Sequence, residues 1–429
     1  MRLAFSVYNK KVLTLKNNNL KRTAVYILTV LQWVALSIFT GVLCGVIGTA
    51  FHFSVDLVTE LRAEHPFVIY FLPIGGIVIA LLYKLCKLEG IGTDKVIDAV
   101  KGPDNVPVLL VPLIFVSTVI THFLGGSAGR EGAALQLGGG IATGVGKIFK
   151  LNRKEMHIIT LSGMSALFAA LFGTPITAAI FSLEVICVGT MYYSAIIPTV
   201  ISSLVAFYTA TLFGVEPVRF ALNVNIASDP LSFIKVGGLS VLIAVLSIIF
   251  CLSMHITHRK ADKLIKNPYI RGLVGGLIVI VLTLIFGTDY NGAGMNIAER
   301  AILEGKAEPF AFLLKLLFTA VTIGFGFKGG EIVPTFFVGA TFGCVAAPIL
   351  GLDPRLGAAI GLVCLFCCVV NCPIASIILS VELFGSEYIL FFAMACAIGY
   401  TLSGYYSLYS SQTVLSSKVR DEIINEPTW

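Results

Sequence analysis

The chain has 429 residues, of which 57% are hydrophobic and only 13% are charged. Soluble domains carry about 25% charged residues, so this composition excludes a soluble globular protein. The net charge of +6 comes from 30 basic and 24 acidic residues. Several runs without a charged residue are longer than the roughly 20 residues that cross a bilayer as a helix. They include Thr23–Val55, Asn105–Gly129, Met156–Leu183, Val185–Val215, Val236–His258, Leu356–Val381 and Tyr388–Ser417. The sequence therefore predicts an all-α polytopic membrane protein.

The amino-terminal segment, residues 1–22, carries six basic residues and no acidic one. They are Arg2, Lys10, Lys11, Lys16, Lys21 and Arg22. A basic segment directly before the first apolar run predicts a cytoplasmic amino terminus in the cell inner (plasma) membrane. Its position favours this role over nucleic-acid binding, so no nucleic-acid partner is expected. The first run is too long for a cleaved signal peptide, which predicts a retained helix. Residues 418–429 are predicted to form a short cytoplasmic tail.

Three short patterns occur twice along the chain, in the same order and about 200 residues apart. The pairs are Gly90–Asp94 with Gly292–Asn296, Gly129–Glu131 with Gly329–Glu331, and Pro175–Glu184 with Pro373–Glu382. This repetition predicts a duplicated transmembrane domain over residues 23–417, with repeats at about 67–215 and 231–415. Repeated halves are typical of transporters whose binding site lies between the repeats. Glycine-rich interruptions at Gly125–Gly140 and Gly324–Gly343 predict broken half-helices that meet near the midplane.

Glycine-rich turns that open helices are candidate anion sites, because the first backbone N–H groups of a helix have no partner within it. Three such turns are Gly90–Gly92, Gly125–Gly132 and Gly326–Val333. The alternative is that these glycines only allow close helix packing. Packing alone does not account for a glutamate at the same point of each repeat.

Glu131 and Glu331 stand in apolar surroundings, the first beside Arg130 and the second three residues after Lys328. A carboxyl within the membrane indicates a proton or ion path. The alternative is an ion pair held for packing alone. Glu184 and Glu382 also recur in both repeats, and we expect them to form structural hydrogen bonds with neighbouring helices.

The tyrosine-rich segment Gly404–Gln412 breaks the last apolar run. A tyrosine hydroxyl at such a break could donate a hydrogen bond to an anion, or the tyrosines could form an interfacial aromatic belt. The closely spaced Cys364, Cys367, Cys368 and Cys372 lie in an apolar span and are predicted to be small buried side chains. No metal, no cofactor and no enzymatic activity are expected.

Taken together, these segments resemble the CLC family of chloride channels and anion/proton exchangers, from about residue 24 to 415. Four motifs carry the resemblance: Gly90–Asp94, Gly129–Gly132, Gly329–Pro334 and Leu408–Ser410. The resemblance implies the CLC fold, with two inverted-topology repeats, 17 or 18 membrane helices, and a homodimer with one anion pathway per subunit. It also implies that Glu131 is the protonatable gate and that Tyr409 lines the central anion site. Cytoplasmic CBS domains are not expected.

Departures from the family pattern indicate a subclass. Ile91 stands at the position of the central serine, and Val185 at that of the inner proton-transfer glutamate. Together with Glu331, these departures resemble the fluoride-exporting CLC subclass. Ala133 and Val333 replace threonines that are common in that subclass, and Ile91 replaces its central methionine.

The predicted function is therefore proton-coupled fluoride export, with Glu131 as gate and proton carrier and Glu331 as a secondary polar or proton-linked residue. The predicted anion pathway contains Gly90, Ile91, Gly92, Thr93, Gly129, Arg130, Gly132, Ile332, Val333 and Tyr409. The predicted partners are fluoride or chloride, protons, the lipid bilayer and a second copy of the chain. The alternatives are a chloride/proton antiporter or a passive chloride channel of the same family, and, in another class, a membrane-embedded enzyme or receptor.

Overall fold

The computed structural model describes residues 19–428. Most of the predicted basic segment, residues 1–18, lies outside this range. The described residues form sixteen α-helices, in two successive series of eight. The first series is α1 (Asn19–Glu64), α2 (Leu72–Leu85), α3 (Thr93–Lys101), α4 (Leu110–Phe123), α5 (Glu131–Ile148), α6 (Arg153–Phe172), α7 (Pro175–Glu184) and α8 (Ile196–Leu212). The second is α9 (Pro230–Leu264), α10 (Pro268–Phe286), α11 (Met295–Glu304), α12 (Ala311–Gly324), α13 (Ile332–Ala346), α14 (Pro354–Val370), α15 (Pro373–Phe384) and α16 (Ile389–Leu402).

Each helix of the second series follows its counterpart in the first by about 200 residues. The correspondence includes α1 and α9, which end at Glu64 and Leu264. The duplicated architecture expected from the sequence is therefore present as two successive series of helices in the same order. Within the described range, the helix number is smaller than the 17 or 18 implied by the resemblance, because the segment after α16 forms turns and strands.

Seven helical segments of the described chain are long and apolar enough to cross a membrane. Other helices are too short, such as α3 with 9 residues and α7 with 10. The charge-free run Met156–Leu183 is divided between α6 and α7, because Gly173 adopts φ 73° and Pro175 starts the next helix. Helices broken in this way are typical of transporters, since they leave helix ends inside the protein.

Helices α6 and α13 lie mostly inside the protein, whereas α1, α2, α8 and α10 expose much of their apolar surface. Exposed leucines such as Leu212 and Leu284 belong to this outer surface. Apolar side chains on the outside match the hydrocarbon of a bilayer, so the arrangement is that of a multi-pass membrane protein.

Glu184 and Glu382 join the two repeats by reciprocal contacts. The Glu184 carboxylate accepts hydrogen bonds from the backbone N–H groups of Ile374 (3.2 Å) and Ala375 (2.9 Å), at the start of α15. The Glu382 carboxylate accepts from Ile176 (3.0 Å) and Thr177 (2.8 Å), at the start of α7. Each glutamate therefore caps the helix of the other repeat, which confirms the structural role expected for both.

A small sheet holds the carboxy-terminal residues against the helices. Strand β1 (Cys187–Val188) pairs in parallel with β2 (Thr413–Ser416), and β2 pairs in antiparallel with β3 (Ile423–Pro427). Thr428 Oγ1 also donates to the backbone oxygen of Tyr409 at 2.8 Å. The segment predicted as a tail is thus folded onto the domain, a feature that the sequence did not predict.

The four closely spaced cysteines are buried and free, as the sequence predicts. All four have no solvent exposure. In residues 19–428 no cluster of three or more His, Cys, Asp or Glu side chains could hold a metal ion.

Candidate functional site

The two glycine-rich turns that precede α5 and α13 meet at the centre of the protein. Gly129 and Gly330 exchange two backbone hydrogen bonds, each 2.7 Å long, as an isolated antiparallel bridge. We call this pair the glycine bridge. It brings equivalent points of the two repeats into direct contact, with the first residues of α5 and α13 on either side.

The glycine bridge depends on backbone approach that side chains would prevent. A Cβ atom at Gly330 would lie 2.3 Å from the Gly132 nitrogen, and one at Gly132 would lie 2.7 Å from the Gly330 Cα. Since real Cβ atoms do not approach so closely, both positions require glycine. The glycines therefore have a packing role in addition to their predicted role in exposing N–H groups.

Glu131 is the first residue of α5, and only 2% of its surface is exposed. Its Oε2 accepts a hydrogen bond from the Arg130 backbone N–H at 3.0 Å, and its Oε1 lies 3.8 Å from Arg130 Nε. The same Oε2 lies 2.9 Å from the point that a Gly129 Cβ would occupy. The carboxyl therefore rests against the glycine bridge.

Arg130 is positioned mainly by Asp56 on α1. Its Nη1 donates to Asp56 Oδ1 at 2.9 Å, and His52 Nε2 lies 3.0 Å from Asp56 Oδ2. The Arg130 guanidinium is thus hydrogen-bonded to Asp56, and its distance to the Glu131 carboxylate is longer. The alternative of a Glu131–Arg130 pair held only for packing fits this geometry poorly.

A cavity of about 620 Å³ lies on one side of the glycine bridge and is lined by Glu131. We call it the first cavity. Other residues of its wall include Asp56, Arg62, His122, Arg130, Asn291, Gly294 and Val333. Arg62 donates to the His122 backbone oxygen at 2.7 Å, and His122 Nε2 lies 3.3 Å from the Gly129 oxygen. The wall of the first cavity therefore carries both basic side chains and the carboxylate of Asp56 near Glu131.

A second cavity, of about 820 Å³, is lined by Glu331. Its wall also includes Gly90, Ile91, Gly92, Thr93, Gln136, Lys328 and Tyr409. Glu331 is the residue before α13, and its Oε2 is buried without a hydrogen-bond partner among the described residues. Lys328 instead donates to the Ile91 backbone oxygen at 3.3 Å. The alternative interpretation, an ion pair between Glu331 and Lys328 held for packing, therefore does not match this geometry.

Tyr409 reaches the second cavity from the carboxy-terminal segment and is only 2% exposed. Its hydroxyl is buried and has no partner in the described part of the chain. Asp94 fixes the neighbouring loop by accepting hydrogen bonds from Ser410 Oγ (2.8 Å) and Ser411 N (2.9 Å). Burial of Tyr409 excludes the interfacial-belt interpretation for this residue.

Three helices present their first turns to this region. The residues that precede α3, α5 and α13 make no side-chain capping hydrogen bond, and at α5 the Glu131 carboxylate accepts the Arg130 N–H instead. By contrast, Asn152 caps α6 and Asp229 caps α9 through side-chain hydrogen bonds. Backbone N–H groups at an uncapped helix start are the donors that anions use. The predicted convergence of helix starts is therefore present.

Most of the predicted residues lie at these two cavities. Arg130, Glu131 and Val333 line the first cavity, and Gly90, Ile91, Gly92, Thr93, Glu331 and Tyr409 line the second. Gly129 and Gly132 belong to the junction between them, and Ile332 is fully buried as the first residue of α13.

The sequence reasoning missed Gln136, Asp94 and His122. Gln136 lies one helical turn after Gly132 on α5 and donates from Nε2 to Thr93 Oγ1 at 3.2 Å. Its signal was a polar side chain inside an otherwise apolar helix segment. His122 lies within a charge-free run, and its contact with Gly129 comes from a neighbouring helix. That contact has no sequence signature.

Comparisons with known proteins agree with this arrangement. A family profile described as "Voltage gated chloride channel" matches residues 74–404. A "Chloride/fluoride channel protein" of Pseudomonas syringae pv. tomato is 34% identical over 396 residues, which cover 90% of this chain and 87% of that protein. An "H(+)/Cl(-) exchange transporter ClcA" of Vibrio vulnificus is 23% identical, with 91% and 92% covered.

Solved structures share the fold. The crystal structure of a CLC-type fluoride/proton antiporter is similar with a TM-score of 0.86 and 31% identity, over 92% of this chain and 99% of that one. A slow cyanobacterial Cl−/H+ antiporter is similar with a TM-score of 0.73 and 19% identity, over 86% and 94% of the two chains.

Proposed function

This chain belongs to the voltage-gated chloride channel (CLC) family, and on that premise we propose that it exports fluoride in exchange for protons that flow into the cell. The observation that carries the proposal is the pair of glutamates at the glycine bridge. Glu131 lines the first cavity and Glu331 lines the second. Two carboxyls on opposite sides of one narrow junction can pass protons between the cavities without a continuous water path.

Glu131 is the proposed gate and principal proton carrier. Its carboxylate occupies the start of α5, where the same N–H groups could hold an anion. A negatively charged side chain and an anion therefore compete for one place. Protonation removes the charge of the side chain, so the anion can displace it. This competition couples the movement of one ion to the movement of the other.

The anion pathway is proposed to follow the starts of α3, α5 and α13, with Tyr409 as a hydroxyl donor and with Thr93, whose hydroxyl is bonded to Gly132 and Gln136, on its wall. Fluoride holds its water strongly, so a fluoride site must replace that water with several hydrogen-bond donors. Backbone N–H groups and the Tyr409 hydroxyl provide such donors. Ile91 contributes no side-chain donor, which leaves these groups as the main contacts.

Three features support fluoride as the transported anion. Glu331 stands at the start of α13, Ile91 stands at the central position, and two similar proteins carry fluoride in their names. The second candidate is chloride/proton antiport, which is favoured by the name of the more distant Vibrio relative. A passive chloride channel is the remaining candidate within the family.

We further propose that the protein works as a homodimer in the cytoplasmic membrane, with cytoplasmic termini and the interface on α8 and α16. Exposed apolar side chains on these helices include Tyr208 and Leu390. A dimer predicts a protein mass of about twice 45.9 kDa by light scattering in detergent. A mass of one chain under conditions that preserve transport would contradict this assembly.

Ion efflux from proteoliposomes tests the function directly. Vesicles loaded with fluoride or with chloride are diluted into medium without the anion, while an anion electrode and a pH electrode record both fluxes. We expect rapid fluoride efflux with proton uptake against a proton gradient, and little chloride efflux. Equal or faster chloride efflux would favour the chloride antiporter. Anion efflux without any proton movement would indicate a channel.

A further inference from the structure

We infer that Gln136 Oε1 is a hydrogen-bond acceptor, fixed in orientation, for the group that carries a proton in the second cavity. Gln136 thereby sets how many protons are transported with each anion. This inference rests on the proposed antiport and concerns the same cavity. The geometry that carries it is the fixed orientation of one buried amide at the wall shared with Glu331 and Tyr409.

Gln136 is only 3% exposed, and its amide orientation is determined by two acceptors. Its Nε2 donates to Thr93 Oγ1 at 3.2 Å and to the Gly132 backbone oxygen at 3.5 Å. Thr93 Oγ1 itself lies 3.4 Å from the Gly132 oxygen and donates to it. A flipped amide would place its oxygen against the Gly132 oxygen, which is unfavourable. The amide oxygen Oε1 is therefore the free end.

The free end has no partner among the described residues, although it is buried. The unpartnered buried atoms on the wall of the second cavity are Tyr83 OH, Gln136 Oε1, Arg271 Nε, Glu331 Oε2 and Tyr409 OH. Of these, Gln136 Oε1 accepts hydrogen bonds, never donates them, and does not titrate. It repels a bare anion and attracts a group that carries a proton.

Glu331 is the nearby carboxyl that could supply this proton. Gly132 connects the two side chains, because Gln136 Nε2 donates to its oxygen and Glu331 Oε2 lies 3.3 Å from the position of its missing Cβ. Three charged side chains of the wall are bonded elsewhere: Lys328 to Ile91, Asp94 to Ser410 and Ser411, and Arg271 to Asp262. The protonated Glu331 carboxyl then donates its O–H hydrogen bond to Gln136 Oε1, and when Glu331 ionises its proton passes to water in the second cavity.

The test uses the full-length protein in proteoliposomes, with fluoride efflux and proton uptake recorded together. Gln136→Met keeps the length of the side chain and removes the acceptor. We expect the ratio of protons to fluoride to fall by about tenfold, the size of effect that follows from the loss of one hydrogen bond in a dry site, while fluoride efflux continues. Gln136→Glu keeps an acceptor oxygen and should retain coupling.

The matched control is Thr143→Val. Thr143 lies on the same helix, is equally buried and has an unpartnered hydroxyl, but lines neither cavity. The ratio of protons to fluoride in T143V should equal that of the wild type. A wild-type ratio in Q136M, or equal loss of both fluxes in a Q136M protein that elutes as the wild type does, would overturn the inference. Fluoride efflux without proton uptake in Q136E would also overturn the inference. This outcome is decisive even if Q136M fails to fold. If the wild type itself moves no protons, the proposed antiport fails instead.

Discussion

The two repeats have a glutamate at the same point, but the surroundings of the two glutamates differ. Glu131 is the first residue of its helix, accepts a hydrogen bond from the preceding backbone N–H, and lies beside a guanidinium bound to Asp56. Glu331 precedes its helix, and its Oε2 has no partner within the described residues. The two carboxyls occupy equivalent positions of the duplicated fold, but their hydrogen-bond partners differ. The first carboxyl is thus held at a helix start near a guanidinium, whereas an oxygen of the second lines its cavity without a partner among the described residues.

The comparison is tested most strongly by Glu131→Gln. A neutral amide cannot carry a proton or change its charge, so we expect proton uptake to fall to the level of protein-free vesicles. Fluoride efflux should become independent of pH. The measurement is simultaneous pH and fluoride recording in proteoliposomes, with Glu60→Gln on the exposed part of α1 as control. A mutant that still takes up protons against a gradient would remove Glu131 from the proton path.

Glu331→Gln should have a smaller effect than the first substitution. We expect the proton-to-fluoride ratio to decrease by about tenfold, equivalent to about 1.4 kcal/mol, because Glu131 can still exchange protons with the first cavity. The same vesicle assay measures the ratio. Full coupling in E331Q would make Glu331 a structural residue, and a loss as complete as in E131Q would show that the two carboxyls act as one unit.

The contact between the repeats is tested by Gly330→Ala. The added methyl group would meet the Gly132 nitrogen at 2.3 Å, and overpacking of this kind costs about 1–3 kcal/mol. We expect a lower melting temperature in detergent together with loss of both fluxes. Gly144→Ala is the matched control on α5, because its nearest new neighbour is 3.8 Å away. Normal transport and stability in G330A would mean that the glycine bridge can open freely.

The smallest effect is expected at the reciprocal caps, which are alike in both repeats. Removing the carboxylate in Glu382→Ala leaves the N–H groups of Ile176 and Thr177 without their acceptor, at a cost of about 1–2 kcal/mol. Glu184→Ala should lower the melting temperature similarly. Transport per folded molecule should remain unchanged in both. Stability losses that differ greatly between the two variants would contradict the symmetry of these contacts.

Much of the fold and part of the site could be predicted from the sequence. Charge-free runs revealed the membrane helices, and repeated glycine and glutamate patterns revealed the two halves, because both signals are local. The partner of Arg130 could not be predicted, since Asp56 lies 74 positions earlier in the chain. The partner of Lys328 could not be predicted either, since the Ile91 oxygen that it contacts is 237 positions earlier in the chain. The folding of residues 418–428 onto β2 depends on pairing that no periodicity indicates.

The exchanged caps of α7 and α15 have a consequence for the synthesis of the protein. The Ile176 N–H donates its hydrogen bond to the carboxylate of Glu382, which is 206 positions later in the chain. At roughly 5–20 residues per second, a ribosome needs about 10–40 s to make that intervening length. During this time the Ile176 N–H in the first turn of α7 has been synthesised but its acceptor has not. The capping of α7 by Glu382 can therefore form only after almost all of the second half has been synthesised.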